Sequence, residues 1–345
     1  MTLNNQPEQV FAIVGATGAV GKALIACLEN HGFGHAKLRL LASARSAGTV
    51  TRFAGHDLIV EELTEDSFAG VTAALFSAGA TISRRYAPIA VAAGALVIDN
   101  SSAFRMDADV PLVVPEVNGE ALASHRGIIA NPNCVAAIMA VAIAPLYRAF
   151  PIKRLFAATY HSASGAGAAA MQELSDATGA YLAGEPFEPK VVPHPYAFNL
   201  FSHNAAIDPD TGYNGEELKA IAETRRILDA PEMAISITCI RVPVLRAHSI
   251  ALVIAFDQVV TPENARAILE AAPGLRLVDD TAANHFPMPC EASGVDDVLV
   301  GRIRTDLGDP TGQSLALFIS GDQLLKGAAL NAVQIAALLV GNERR

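Results

Sequence analysis

A glycine-rich octapeptide, "VGATGAVG" at residues 14–21, constrains the fold of this chain more than any other feature. It follows the apolar run "FAIVG" and precedes "VGKALIACLEN", in which apolar residues recur at helical spacing. Glycines at positions 15, 18 and 21 let the backbone turn tightly and let a pyrophosphate approach the free amides of a helix N-terminus. The segment favours a dinucleotide-binding unit, and a tight strand-to-helix turn without a ligand is the alternative.

The first 130 residues continue to alternate between strand and helix patterns. The runs "LRLLAS", "LIVEEL", "AALFSAG", "LVIDNSS" and "LVVPEV" predict further strands, and "YAPIAVAAG" predicts a second helix. This alternation is typical of an α/β fold with a Rossmann-like, doubly wound parallel sheet.

The pattern changes from about residue 151 onward. The longer runs "AISITCIRVPV" and "SIALVIAF" predict a second, α+β domain with an antiparallel sheet and helices on one face. The tail, "LKGAALNAVQIAALLV", predicts a helix that packs back on the body. We therefore expect one domain from residues 1–133 and 325–345, and a second domain from residues 134–324.

Composition excludes several classes of protein. A chain of 345 residues with 51% apolar residues is globular and long enough for two domains. A net charge of -10 argues against a nucleic-acid partner. The four cysteines include no CxxC pair, which argues against a metal site or a disulfide framework. The N-terminus lacks a signal-peptide pattern and no apolar run is long enough to span a bilayer, so we expect a cytoplasmic protein without a membrane partner.

The end of the second predicted strand indicates which dinucleotide is preferred. NAD-specific folds usually place an acid there to hold the ribose hydroxyls. This strand instead ends "LLASARSAG", which supplies Ser43, Arg45 and Ser46 and no acid. A cation and two hydroxyls favour the 2'-phosphate of NADP, and an exposed arginine in a solvated turn is the alternative.

Cys134 stands in "NPNCVAAIMAVAIAPL", between a proline-containing loop and a buried helix pattern. At the first turn of a helix, free amides and the helix dipole favour the thiolate form. Cys134 is therefore a candidate nucleophile, and a buried core cysteine is the alternative. Cys27 and Cys239 lie inside a predicted helix and a predicted strand, and we expect them to be structural.

Two further residues fit a nucleophilic site. His248 lies at a turn between two predicted strands and could serve as the partner base, although a structural histidine is the alternative. Arg241 lies inside an otherwise apolar strand, where a guanidinium needs a carboxylate or phosphate partner. An internal salt bridge would also satisfy Arg241.

Taken together, these motifs resemble the bacterial-type aspartate-β-semialdehyde dehydrogenase family. The matching stretches include "VGATGAVG", "LASARSAG", "LFSAGATIS", "VIDNSSAFRMDADVPLVVPEVN", "NPNC", "SASGAG", "TCIRVPVLRAHS", "VGRIRTD" and "KGAALNAVQIA". They run in family order from residue 14 to about residue 337. The resemblance implies an NADPH-dependent reductase of β-aspartyl phosphate that forms a homodimer, with a second domain that serves catalysis and dimerisation.

The resemblance also implies roles for single residues. Cys134 would be the nucleophile and His248 the acid/base. Arg241 would pair with the substrate carboxylate, Glu216 would hold the amino group, and Arg105 and Lys219 would bind the phosphate. The implied substrate-binding residues are Arg105, Asn133, His161, Glu216, Lys219 and Arg241. The implied cofactor-binding residues are Gly15, Thr17, Gly18, Ala19, Val20, Ser43, Arg45, Ser46, Ser77, Ala78, Ser164, Gly165 and Asn331.

The chain departs from the family pattern at three places. His161 stands where the family commonly has a glutamine, and Thr49 stands where a lysine is frequent. Residues 135–137 are Val, Ala and Ala, where hydroxylic residues are usual. Two alternative functions stay open: reduction of a related acyl phosphate such as N-acetylglutamyl phosphate, and NADP binding without turnover.

Overall fold

The computed structural model describes residues 9–340. Residues 1–8, on which part of the signal-peptide prediction rests, and residues 341–345 lie outside the described range. The described chain divides into two compact units. The first contains residues 9–115, 119–132 and 328–340, and the second contains residues 116–118 and 133–327.

The first unit is built on a six-stranded sheet in the order β5-β2-β1-β6-β7-β8, in which every neighbouring pair is parallel. Its buried strands are short apolar runs, as expected for a sheet covered on both faces. The strands of this unit are β1 (Val10–Val14), β2 (Lys37–Ala42), β3 (Val50–Phe53), β4 (His56–Ile59), β5 (Glu61–Glu62), β6 (Ala73–Phe76), β7 (Leu96–Asp99) and β8 (Ile128–Ala130).

Two helices connect the central strands of this sheet. Helix α1 (Ala19–Leu28) leads from β1 to β2, and helix α2 (Ala80–Ala92) leads from β6 to β7. The strand order runs outward in opposite directions from β1 and β6, and right-handed crossovers then place the two helices on opposite faces. The Rossmann-like prediction is confirmed.

The second unit is built on a seven-stranded sheet in the order β10-β11-β9-β12-β15-β14-β13. Its strands are β9 (Ile152–His161), β10 (Phe201–Ser202), β11 (Ala234–Arg241), β12 (His248–Phe256), β13 (Leu275–Leu277), β14 (Val298–Thr305) and β15 (Ser314–Gly321). The accompanying helices are α3 (Pro115–Asn118), α4 (Cys134–Ala149), α5 (Ala168–Ala183), α6 (Gly215–Ile227), α7 (Pro262–Glu270) and α8 (Pro289–Ala292).

This second sheet is mixed rather than purely antiparallel. The β11–β9 and β13–β14 pairs are parallel, and the other four neighbouring pairs are antiparallel. The last helix, α9 (Leu330–Val340), belongs to the first unit, where it packs against α1 and β7 as the tail pattern predicts.

The prediction of a strand at "LVVPEV" is wrong. Leu112 forms only an isolated bridge with Ala130, and the chain then enters helix α3 at Pro115. Prolines at 111 and 115 remove two amide donors that a strand would need, and proline is well suited to the first turn of a helix. "LIVEEL" is likewise divided between β4 and β5. Among residues 9–340, no helix is both long and apolar enough to cross a lipid bilayer.

Candidate active site

The first unit holds a cavity of about 560 Å³ at the carboxyl ends of its central strands. This is where open parallel sheets bind ligands. The lining residues come from the ends of β1, β2 and β5, from the turns after β1, β2, β5 and β6, and from α2: Val14, Gly15, Thr17, Gly18, Ala42, Ser43, Ala44, Arg45, Ser46, Glu62, Leu63, Ser77, Ala78, Ile82 and Tyr86.

The glycines of the octapeptide are required by the geometry of this cavity. Gly15 has a φ of 90°, and a Cβ there would lie 2.9 Å from the carbonyl carbon of Ser77. A Cβ on Gly21 would lie 2.2 Å from the carbonyl oxygen of Gly15, so this glycine lets α1 pack against the turn. Gly18 caps α1 without a side-chain hydrogen bond and itself lines the cavity, so the amino end of α1 begins at the cavity. A phosphate-bearing ligand fits these features.

One corner of the cavity carries the predicted specificity residues. Ser43, Arg45 and Ser46 follow β2 and line the wall. Arg45 is exposed and makes no ion pair with any residue in the range 9–340. Glu62 and Tyr86 also line the cavity and were not predicted, because neither belongs to the glycine motif.

Five of the predicted cofactor residues lie outside this lining. Ala19 and Val20 are the first two residues of α1 and directly follow Gly18, which is in the lining. Asn331 is completely buried, and its amide nitrogen donates to the carbonyl of Val113 and to Asn131 Oδ1 at 2.9 and 2.7 Å. Ser164 and Gly165 belong to the second unit.

In the second unit, one edge of the sheet brings several predicted site residues together. His161 ends β9 and Arg241 ends the neighbouring parallel strand β11, where the two residues are partners in the strand pairing. β12 is antiparallel to β9, so its first residue, His248, lies at the same edge. The imidazole rings of His161 and His248 are 4.6 Å apart between centroids. His161 and His248 are 87 positions apart in the sequence, and the order of the strands brings them to the same edge of the sheet.

Cys134 is the first residue of α4 and is half-buried. Its preceding residue, Asn133, caps the helix by accepting hydrogen bonds from the amides of Val135 and Ala136 at 2.9 and 3.4 Å. The Asn133 side-chain nitrogen donates to Glu216 Oε1 at 2.7 Å. The predicted placement of the thiol at a helix N-terminus is therefore confirmed, and Asn133 links it to Glu216.

The side chains after the thiol point into the core. Val135, Ala136 and Ala137 are all completely buried. Cys27 and Cys239 are also buried, as expected for structural residues, and burial raises the pKa of the Cys239 thiol to about 12. Hydroxyl groups at 135–137 are not needed for the helix cap, since the donors to Asn133 Oδ1 are the backbone amides of Val135 and Ala136.

Arg241 is buried without a carboxylate partner among the described residues. Its Nε donates to Asn204 Oδ1 at 2.9 Å, its Nη1 donates to the Ser162 carbonyl at 3.4 Å, and its Nη2 lies 2.9 Å from His203 Nε2. All of these partners are neutral acceptors. The internal salt bridge considered for Arg241 is thus not formed within residues 9–340, and its charge remains available for an anionic group.

His248 is completely buried and is held from one side. The Ser162 amide donates to its Nδ1 at 3.0 Å, and Ser162 Oγ lies 3.0 Å from the same atom. Its Nε2 has no hydrogen-bond partner in the described part of the chain. Burial, followed by the charges of Arg241 and His203, lowers the pKa of His248 to about 3. The ring is therefore neutral at physiological pH.

The other two histidines of the cluster are neutral for related reasons. His161 is buried, and its Nε2 lies 2.8 Å from Thr159 Oγ1. Burial is the largest cause that lowers the pKa of His161, and the neighbouring His248, His203 and Arg241 add to it. Burial and Arg241 lower the pKa of His203 to about 4. Three neutral rings around one guanidinium concentrate the positive charge of this edge on Arg241.

The group His161, His203 and Glu216 has the composition of a metal site, with potential ligand atoms within 4.8 Å of one another. However, His203 Nε2 faces the Arg241 guanidinium, and its Nδ1 accepts a hydrogen bond from the Ala205 amide at 3.2 Å. A cation at this position would meet a fixed positive charge.

Two predicted phosphate-binding cations have different surroundings. Lys219 lies one turn after Glu216 on α6 and is exposed. Arg105 lies in the first unit, where its Nε donates to the Asn131 carbonyl at 2.9 Å and its Nη2 to the Asn100 carbonyl at 2.7 Å.

Four residues at this edge were not predicted: Ser162, His203, Asn204 and Gln323. His203 and Asn204 follow the two-residue strand β10, which has no periodic signal. Gln323 follows β15, whose last residue pairs with His248. A polar residue two positions after an apolar strand was the only available signal for Gln323.

Two family models match the chain. Residues 10–125 match the "Semialdehyde dehydrogenase, NAD binding domain", and residues 143–326 match the "Semialdehyde dehydrogenase, dimerisation domain". The first unit therefore contains an NAD(P)-binding domain.

Curated relatives and solved structures agree with these matches. Aspartate-semialdehyde dehydrogenase from a Synechocystis strain is 51% identical over 95% of this chain and 96% of the relative. The protein of that name from Bacillus subtilis is 45% identical over 95% of this chain and 96% of its own. A crystal structure of aspartate semialdehyde dehydrogenase II from Vibrio cholerae, complexed with ASA, has a TM-score of 0.93 and 41% identity, and covers 97% of this chain and 99% of its own.

Proposed function

Since this chain belongs to the aspartate-semialdehyde dehydrogenase family, we propose that it reduces L-aspartyl 4-phosphate to L-aspartate 4-semialdehyde with NADPH and releases phosphate. This reaction stands at the branch towards lysine, through diaminopimelate, and towards threonine and methionine. The observation that carries the proposal is Arg241, a buried guanidinium with only neutral partners among residues 9–340, at the same sheet edge as His248. A site of this kind needs an anionic substrate.

Cys134 is the nucleophile in this proposal. The helix N-terminus stabilises its thiolate, which attacks the acyl phosphate and forms a thioester as phosphate leaves. Arg105 and Lys219 would stabilise the charge of the phosphate. A thioester accepts hydride readily, whereas a free carboxylate does not. NADPH, when bound, supplies that hydride.

Substrate recognition rests on charges that the second unit supplies. Arg241 would pair with the substrate carboxylate, because a planar guanidinium binds a carboxylate through two hydrogen bonds. Glu216 would hold the ammonium group, with Asn133 fixing the Glu216 carboxylate at 2.7 Å. His161 would contribute a ring nitrogen where the family has an amide. His248 would act on the carbonyl oxygen through Nε2, its unpartnered atom.

Glu216 also favours aspartyl phosphate over N-acetylglutamyl phosphate. An N-acetylated substrate has no ammonium group, so it would leave the buried Glu216 carboxylate without a cationic partner. The free amine of aspartyl phosphate supplies that partner.

The cofactor preference and the domain roles are also proposals. We assign the cavity of the first unit to NADP, with Arg45, Ser43 and Ser46 at the 2'-phosphate and the glycine turn at the pyrophosphate. Residues 1–133 and 325–345 would then form the NADP-binding domain, and residues 134–324 the catalytic and dimerisation domain.

A homodimer is supported by the open face of the second sheet. Phe156, Ala158, Ala251, Val253 and Phe318 alternate with buried residues on the adjacent strands β9, β12 and β15. Phe156 is 41% exposed. A contiguous apolar patch of this kind is typical of a subunit interface.

One assay tests the proposed function. Purified protein is mixed with phosphate, either NADP or NAD, and either aspartate semialdehyde or N-acetylglutamate semialdehyde, and absorbance of the reduced nicotinamide is followed. We expect reduction only with aspartate semialdehyde and phosphate, and faster with NADP. Turnover of the acetylated substrate alone would replace the proposed substrate, and nucleotide binding without any turnover would indicate a non-catalytic relative.

A further inference from the structure

We propose that Glu223 on α6 is a positioning residue for the Cys134 thiol, because it completes the amino-terminal cap of α4 from a neighbouring helix. Glu223 is buried, with 2% of its surface exposed, and its Oε2 accepts a hydrogen bond from the backbone amide of Asn133 at 2.5 Å. Asn133 directly precedes the thiol residue. Glu223 acts through Asn133 and not on the substrate. The inference rests on the proposed function for the role of Cys134 as the nucleophile.

Helix α4 carries only one half of a capping box. In a complete box, the N-cap side chain accepts from the amide of the third helical residue, whose side chain accepts from the N-cap amide in return. Asn133 supplies the first half, since its Oδ1 accepts from the amides of Val135 and Ala136 at 2.9 and 3.4 Å. The third helical residue is Ala136, whose methyl group cannot accept a hydrogen bond. The buried Asn133 amide therefore needs an acceptor from another part of the chain.

Helix α6 shows what the complete local arrangement looks like. There the Glu217 amide donates to Asn214 Oδ1 at 3.0 Å, and the Asn214 amide donates to Glu217 Oε2 at 2.8 Å. The two helices pack against each other. At α4 the second of these bonds is made by Glu223 of α6, which takes the part that a glutamate in place of Ala136 would play.

Helix α6 holds Asn133 at two points. Glu223 accepts from the Asn133 backbone amide, and Glu216 Oε1 accepts from Asn133 Nδ2 at 2.7 Å. Glu216 and Glu223 are seven residues apart, which places them two turns apart on one face of α6. One helix thus fixes both the backbone and the side chain of the residue before the thiol. Because Glu216 is also the proposed acceptor for the substrate ammonium group, this helix sets the separation between that acceptor and the thiol.

Cys134 has little freedom to absorb a shift of Asn133. A Cβ on residue 327 would lie 2.8 Å from Cys134 Cβ and 3.2 Å from Cys134 Cα, so the backbone at Gly327 already lies close against the thiol residue. The charge of Glu223 does not stabilise a thiolate, because like charges repel. Its contribution to the reaction is therefore geometric. A displacement of about 1 Å in a reacting group is enough to reduce turnover about 100-fold.

Two substitutions of Glu223 isolate the hydrogen bond to Asn133. Glu223→Leu and Glu223→Gln both remove the negative charge, but only glutamine keeps a side-chain oxygen that can accept from the Asn133 amide. We expect kcat to fall about 100-fold in Glu223→Leu with KM little changed, and to return to within about fivefold of the unaltered protein in Glu223→Gln. Glu270→Leu, which removes an exposed carboxylate at the end of α7, is the control and should leave kcat unaltered. Full turnover in Glu223→Leu, or an equal loss in Glu223→Gln, would overturn the proposal.

Hydrogen–deuterium exchange of the full chain without substrate separates local positioning from a general loss of stability. Mass spectrometry would compare a peptide that covers the start of α4, residues 131–138, with one that covers the rest, residues 139–149. In Glu223→Leu we expect faster exchange in the first peptide only, because the cap loosens while the remaining turns stay bonded. Glu223→Gln should exchange like the unaltered protein. Faster exchange along the whole of α4 in Glu223→Leu would mean that Glu223 only stabilises the fold, which would overturn its positioning role.

These measurements separate the inference from the proposed function. If the unaltered protein does not turn over aspartate semialdehyde, the proposed function fails, and exchange at the start of α4 still tests the contact with Glu223. If it does turn over and Glu223→Leu keeps its kcat, only the role of Glu223 fails. Should Glu223→Leu not fold, Glu223→Asp takes its place, because the shorter side chain withdraws the carboxylate from the Asn133 amide without a change of charge. The same loss of kcat is then expected, and full turnover in Glu223→Asp would contradict the proposal.

Discussion

The two units hold sites that are built in opposite ways. The cavity of the first unit is made of loop backbone, glycines and exposed side chains, all close to the ends of three parallel strands. The thiol site of the second unit is made mostly of buried side chains that are already bonded to other residues, such as Asn133 to Glu216 and Arg241 to the exposed Asn204.

This difference reflects what each site has to recognise. A pyrophosphate can be bound by backbone amides, which any sequence supplies once glycines allow the turn. Attack on one carbonyl carbon requires side chains fixed in position, and fixing them requires partners for every buried polar atom. We therefore expect changes in the second site to reduce turnover strongly, and changes in the first to alter cofactor affinity more gently.

The largest effect is expected from Cys134→Ala, which removes the nucleophile. Turnover should fall by about 10⁴-fold or more, because no thioester can form. Affinity for NADP should remain unchanged, as measured by fluorescence titration. Cys290→Ala, which removes an exposed thiol in α8, is the matched control and should leave turnover unaltered. Retained activity in Cys134→Ala would disprove the mechanism.

Arg241→Leu should have the next largest effect. Loss of a charged hydrogen-bond partner for the substrate carboxylate is expected to raise KM for aspartate semialdehyde about 100-fold. Steady-state kinetics with each substrate varied would measure this. Arg276→Leu, which removes the same charge from the exposed edge strand β13, should change nothing. A change confined to KM for NADP would place Arg241 in the wrong site.

The same contrast between the two sites explains which of their features could be predicted from the sequence alone. Gly15, Gly18 and Gly21 belong to one octapeptide, so their cavity could be predicted from local pattern. Cys134 at a helix start was also predictable, because Asn133 and Pro132 are local signals. By contrast, the contact of Arg241 with His203 depends on strand order and on a segment without periodicity.

Local sequence signals gave a wrong prediction where an apolar run and a proline indicated different structures. The apolar residues of "LVVPEV" predicted a strand, but Pro115 starts helix α3. The hydrogen bonds that join Gln323 to Ser162 and Ser164 span about 160 residues in the chain. No sequence pattern specifies such contacts, since they follow only from the packing of β15 beside β12.

Acid should destabilise the second unit through three histidines, of which His161 and His248 are buried and His203 is half-buried. His161, His203 and His248 have lowered pKa values when folded, so the unfolded chain binds more protons as pH falls below about 6.5. Stability should therefore be complete above that pH and decline towards pH 4, by at most about 1.4 kcal/mol per pH unit for each histidine. Urea unfolding at pH 7.5 and pH 5 measures this.

His248→Asn provides the control for the acid effect, because it removes one of the three titrating groups and should reduce the pH dependence. The slope should not disappear, since His161 and His203 remain. Equal stability at pH 7.5 and pH 5 in the unaltered protein would show that the histidines are already solvated and that the second site is less tightly packed than the structure indicates.

The smallest effect is expected in the first unit, from Arg45→Ala. Arg45 is exposed, and an exposed ion pair contributes at most about 1 kcal/mol, so KM for NADPH should rise only about fivefold. KM for NADH should not change, because NADH lacks the 2'-phosphate. Arg52→Ala, an exposed arginine on β3 outside the cavity lining, is the matched control. Equal losses with both nucleotides would mean that Arg45 binds a group they share, and a 100-fold loss would mean that this cavity is as tightly organised as the thiol site.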